Sequence, residues 1–140
     1  MNYHNEVIVS ANPEMVFEAI TKKLGEWWGK TDLPVSKVGD EFTTNFGNAY
    51  WKFRVTEYVP DAKITWKCID GQPEFNNEWV GTTLFWNIES SDSKTKINFM
   101  HDGLTPDFKC YDICAPTWDQ FISTSLKSFV EIGKGMPHFS

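Results

Sequence analysis

Few side chains in this sequence are placed to do chemistry, and His101 is the first of them. It lies in Lys94–Asp102, where Ile97, Phe99 and His101 share one face of an alternating strand and Asp102 follows directly. An imidazole on such a face can share a hydrogen bond with a ligand oxygen or act as acid or base. The expectation is the other reading, a core or rim histidine bonded to a backbone carbonyl, the ordinary state of an isolated buried polar group. Glu57 raises a similar question, because strict alternation puts it beside Trp51 and Phe53. It then pairs with a cation, marks the polar end of a cavity, or sits at a bulge that turns it outward; the outward reading is the expectation.

Cys110 and Cys114 stand four apart, downstream of His101. Zinc sites usually repeat a tighter cysteine pair, and there is no second pair, so no metal is expected. Cys68 reads as a small apolar core residue. The chain has no Gly-x-Ser-x-Gly elbow, no phosphate-binding glycine loop and no evident carboxylate dyad. These features point away from acyl transfer and from a cofactor, and the first reading is a protein that is not an enzyme.

A chain of 140 residues suits a single domain, here 1–140, large enough to bury a core without metals or disulfides. The formal net charge of -6 argues against nucleic acid, whose phosphates need a basic footprint. No run approaches the roughly 18 apolar residues of a membrane span, and no basic start with an apolar run opens the chain. Together with an odd number of cysteines, this predicts a cytoplasmic protein without membrane insertion. Aromatic residues make up 16% of the chain, including seven Trp and eleven Phe, more than packing usually requires. Such rings fill cores, but they also line pockets for apolar ligands.

The elements that must position these residues follow from periodicity. Tyr3–Ser10 reads as a short strand. Asn12 caps a helix from Pro13 to about Lys22 with Val16, Phe17 and Ile20 inward, and Leu24–Gly29 forms a second short helical turn carrying Trp27 and Trp28. From Asp40 onward the period is two: Phe42–Phe46, a turn at Gly47 and Asn48, Ala49–Val59, Lys63–Asp70, Glu78–Glu89 and Lys94–Asp102, with a loop at Gly71–Asn77. Gly103–Ala115 shows no period. Pro116–Ile132 is an amphipathic helix with Trp118, Phe121, Ile122, Leu126, Phe129 and Ile132 on one side, Pro116 in its first turn and Gly133 at its end. Its Ser123, Thr124, Ser125 and Ser128 leave gaps that a close-packed helix would fill with Leu or Ile. Strand, helix pair, successive antiparallel strands and long helix make an α+β domain.

Three segments carry a family resemblance: VSANPEMVFEAIT followed by EWWG, the strand ending in FMHDGL, and the closing WDQFISTSLKSFVEIGKGMP. They resemble the START-like superfamily (SRPBCC, Bet v 1-like), and within it the bacterial branch similar to the activator of Hsp90 ATPase. The resemblance implies a helix-grip fold, in which a curved antiparallel sheet of about six strands wraps a long C-terminal helix beside two short N-terminal helices. It also implies a cavity between sheet and helix for a small apolar molecule. The lining would come from Trp51, Phe53, Trp66, Leu84, Trp86, Phe99, His101, Trp118, Phe121, Ile122 and Ser125, with Trp27 and Trp28 near the entrance. A second implied role is contact with a bacterial chaperone of the Hsp90 type. A third is a cyclase or dehydratase with His101 as acid or base, which needs a further polar group in the cavity. Whether the aromatic residues enclose a void or simply fill the core stays open at this level.

Overall fold

The computed structural model describes residues 2–32, 34–47, 49–72, 78–109 and 111–137. In chain order these form β1 (Tyr3–Val9), α1 (Pro13–Thr21), a 3-10 turn (Leu24–Glu26), β2 (Lys30–Thr31), β3 (Glu41–Phe46), β4 (Ala49–Val59), β5 (Lys63–Gln72), β6 (Thr83–Ser91) and β7 (Lys94–Asp102). The terminal helix is continuous and has three parts: α2 (Tyr111–Gln120), a π-helical segment (Phe121–Leu126) and α3 (Lys127–Ile132). The strands make one antiparallel sheet in the order β1-β7-β6-β5-β4-β3-β2. This curled sheet half-wraps the terminal helix, the expected α+β helix-grip fold. It has seven strands rather than six, because the two-residue β2 pairs with β3 through Lys30 and Asn45.

The N-terminal helix forms as its sequence directs. Asn12 accepts a hydrogen bond from the Met15 backbone N–H at 2.8 Å, Pro13 opens the helix, and Val16, Phe17 and Ile20 are buried. At the far end of the chain Gly133 adopts the left-handed conformation at φ 82°, and its N–H bonds the Phe129 carbonyl.

Several features differ from the sequence expectation. The terminal helix begins at Tyr111, so Pro116 lies inside it. Proline removes a backbone donor there, and in the same turn the Thr117 hydroxyl donates to the Ile113 carbonyl at 2.6 Å. The strand expected from Glu78 starts only at Thr83, because a turn with Gly81 at φ 92° precedes it. On β4 a register shift between Val55 and Glu57 reverses the alternation, leaving Val59 exposed and Tyr58 partly buried. The π-helical segment widens the last turns, so Leu126 and Val130 face inward while Ile132 is 71% exposed. The expected turn residue Asn48 and most of the expected loop, 73–77, lie outside the described residues; Gly71 and Gln72 extend β5.

Candidate functional site

The interior is organised by a column of near-parallel indoles. Trp51 of β4 stacks on Trp79 at 3.9 Å between ring centres and 17° between planes. Trp79 stacks on Trp118 of α2 (5.7 Å, 14°), and Trp118 on Trp28 (5.3 Å, 26°). Beyond Trp28 come Trp66 of β5 at 5.9 Å and Trp27 at 6.1 Å, both nearly parallel to it. The column therefore runs from the sheet's rim into the centre of the domain, with members from strands, helix and connecting turns. Trp79 was not among the residues expected at the site, since alternation from Glu78 put it on the opposite face from Leu84 and Trp86. The turn before β6 brings it inside, where it is 3% exposed.

His101 braces this column. It is fully buried, and its ring stands nearly perpendicular to Trp79 (87°) and to Trp118 (81°). The Trp118 indole N–H donates to His101 Nδ1 at 3.2 Å, which makes Nδ1 the acceptor and Nε2 the protonated nitrogen. Nε2–H then donates to the Thr82 hydroxyl at 2.8 Å, and that hydroxyl donates to the Trp79 carbonyl at 2.6 Å. Burial pulls the histidine pKa down to about 3, so the ring is neutral at physiological pH. Gly103 lets the chain pass close to Thr82, since a Cβ there would meet Thr82 Cγ2 at 2.7 Å.

The centre of the grip is filled. Trp27, Trp28, Trp66, Trp86, Trp118, Phe53 and Phe99 are each 2% exposed or less. The indole N–H groups of Trp66, Trp79 and Trp86 are buried without a hydrogen-bond partner. Trp66 meets Phe42 edge-on (76°), Trp86 meets Trp27 (83°) and Trp79 meets His101 (87°), arrangements that bring ring edges against π faces.

Space remains at the column's outer end. A cavity of about 590 Å³, half open to solvent, lies where the β3–β4 hairpin, the start of the terminal helix and the C-terminal segment converge. Phe46, Ala49, Trp51 and Trp79 form one side, Ile113, Cys114, Thr117, Trp118, Gln120 and Phe121 the other, with Trp28 behind and Met136 and Pro137 across one edge. Ser125 anchors that edge: its hydroxyl donates to the Trp27 carbonyl at 2.5 Å and accepts from the Met136 backbone N–H at 2.7 Å. Gly135 packs against the chain at Glu26 and Trp27, where a Cβ would lie 2.2 Å from the Glu26 carbonyl oxygen.

Of the thirteen residues expected to line or flank a cavity, the structure brings Trp28, Trp51, Trp118 and Phe121 to this one. Trp27, Phe53, Trp66, Leu84, Trp86, Phe99, His101, Ile122 and Ser125 are buried around the filled centre instead. The serines of the helix do not leave the expected gap: Ser125 holds the C-terminal segment, and Ser123 accepts from Asn5 at 3.3 Å. Glu57 sits at the bulge and turns outward, 3.2 Å from both Lys63 Nζ and the Thr65 hydroxyl. Cys68 is a buried core thiol whose pKa burial pushes up to about 12. Cys114 is buried at the cavity wall, and its neighbour Cys110 lies outside the described residues. No group of three potential metal ligands occurs among the described residues, and no described helix is long and apolar enough to cross a membrane.

Among solved structures the chain is similar to the Aha1 dimer from Colwellia psychrerythraea, with 26% identity, a TM-score of 0.83, and coverage of 96% of this chain and 99% of that one. It shares its fold with a Mesorhizobium loti protein (19% identity, TM-score 0.77, 91% and 95% coverage). It also shares it with CalU16 from Micromonospora echinospora (15% identity, TM-score 0.69, 95% and 75% coverage). A search of curated proteins by sequence returned no match. Residues 10–131 match the family described as activator of Hsp90 ATPase homolog 1-like protein, and the chain belongs to that family.

Proposed function

We propose that the protein binds a small, largely apolar molecule in the cavity at the outer end of the tryptophan column. One observation carries the reading: a domain that packs its centre without gaps keeps about 590 Å³ open at one end, lined by four indoles and two phenyl rings. Packed interiors do not ordinarily hold such space, and pockets for small ligands have this size and lining. Trp28, Trp51, Trp118 and Phe121 are the site residues retained from the sequence, with Trp79 added. A guest burying about 300 Å² of apolar surface gains about 7 kcal/mol, and after association costs of at least about 4 kcal/mol this gives millimolar affinity at best. The test is calorimetric titration with the neutral dye Nile red, on the parent and on Ala49→Trp, which fills the cavity from its rim. Saturable binding to the parent, lost in a variant with unchanged Tm, supports the reading; equal binding by both contradicts it.

The family description favours a second reading, contact with a chaperone of the Hsp90 type. The Colwellia protein, named an Aha1 dimer, is matched over nearly its whole chain, so a domain of this extent is the unit to test. A change in a bacterial Hsp90's ATPase rate on addition of the protein supports it; an unchanged rate with no binding in a pull-down removes it. Acid–base catalysis by His101 is not proposed. Both ring nitrogens are engaged by Trp118 and Thr82, and the ring does not line the cavity. We place the protein in the cytoplasm on its odd cysteine count and the free, buried thiol of Cys68.

A further inference from the structure

Building on the cavity reading, we infer that the guest is an uncharged, electron-rich ring system, and that carboxylates and organic cations are turned away. The argument against anions is direct. No charged side chain stands among the described residues lining the cavity, so a carboxylate entering it leaves water without a lysine or arginine to meet it. The net charge of -6 also opposes its approach.

The argument against cations comes from how the indoles are turned. Aromatic pockets that hold quaternary ammonium groups do so with the faces of their rings, tryptophan best of all. In this protein the faces of Trp79, Trp118 and Trp28 are occupied, and Trp51 gives one face to Trp79. Trp79 lies between Trp51 and Trp118, nearly parallel to both, and Trp118 lies between Trp79 and Trp28. What Trp28, Trp79 and Trp118 present to the cavity is therefore ring edges, the positive end of the aromatic quadrupole. Edges repel a cation and attract the π face or carbonyl oxygen of a neutral molecule.

Polar complementarity is confined to the mouth. Thr117 directs its hydroxyl proton to the Ile113 carbonyl and keeps lone pairs free to accept. Gln120, exposed on the same side of the helix, carries an amide that both donates and accepts. The fitting guest is therefore a neutral aromatic molecule with a hydroxyl or carbonyl at the edge that stays near water.

Three compounds on one ring system separate the possibilities: 9-anthracenemethanol, 9-anthracenecarboxylate and the (9-anthracenylmethyl)trimethylammonium ion, titrated calorimetrically into the full chain at pH 7. The expected result is saturable binding of the alcohol, with both ions at least tenfold weaker, and a two- to fivefold loss for the alcohol in Gln120→Leu. Discrimination of less than tenfold against either ion overturns the inference. So does failure of the alcohol to bind while Nile red still binds, and in both cases the cavity itself stands. Failure of the alcohol and Nile red together sinks the cavity reading as well.

Discussion

The two ends of the tryptophan column are built from the same residue types and differ in what opposes them. At the inner end, Trp66 and Trp86 on neighbouring strands meet Trp27, Trp28, Phe99 and Trp118 from the turn, the sheet and the helix, and every ring finds another across the gap. At the outer end, β3 turns into β4 and the terminal helix is only beginning. Trp51 and Phe46 look towards Ile113, Cys114 and Thr117 of the helix across about 590 Å³. Aromatic content alone thus marks neither a core nor a pocket. The deciding quantity is whether the opposing element supplies a partner of matching size.

Truncation separates the two ends most sharply. Trp86→Ala, at the inner end, is expected to cost about 3–5 kcal/mol by leaving a cavity that packed neighbours cannot close. Trp51→Ala, half-buried at the outer end, is expected to cost about 1–2 kcal/mol, because solvent already reaches its side. Chemical denaturation of both variants measures the difference, and equal losses would remove the distinction between filled and open ends.

The brace between the ends gives the next effect. His101 has a folded pKa of about 3 against an ordinary 6.5, so protons bind the unfolded chain first as pH falls. Its contribution is complete above pH 6.5 and declines toward pH 3, by up to about 1.4 kcal/mol per pH unit. Trp79, Trp118 and Thr82 around it do not titrate in that window. His101→Gln keeps an acceptor and a donor while removing the titration. Its stability between pH 6.5 and 5 is expected to fall less steeply than the parent's, and parallel curves would contradict the burial argument.

A smaller effect is expected at the C-terminal edge. Gly135→Ala forces a Cβ against the Glu26 carbonyl and the Trp27 backbone, detaching Met136 from Ser125. Stability is expected to drop by about 1–2 kcal/mol, with Nile red affinity falling severalfold as one wall of the cavity is lost. Unchanged affinity would show that Met136 and Pro137 are no part of the site.

Much of the fold was legible because single interactions dominate locally: the Asn12 cap with Pro13, the alternation of Ile64, Trp66 and Cys68, and that of Ile97, Phe99 and His101. What escaped depends on breaks in period. Gly81 at φ 92° moves Trp79 to the inner face, the register shift after Val55 turns Glu57 outward, and the π-helical segment moves Val130 into the place expected for Ile132. Each break carries a weak local sign or none, since a π-helical turn needs no special residue. The His101 brace was half visible. Its strand face could be read, but its partners Trp118 and Thr82 come from elements whose meeting is a tertiary fact.

Fluorine NMR of protein labelled with 5-fluorotryptophan follows all seven tryptophans at once, assigned by single Trp→Phe variants. On titration with 9-anthracenemethanol, the resonances of Trp28, Trp51, Trp79 and Trp118 are expected to shift together and saturate, while those of Trp66 and Trp86 stay in place. Movement of Trp66 and Trp86 with the outer four unmoved, or no movement of any resonance with this alcohol or with Nile red, would contradict an open outer end built to hold a guest.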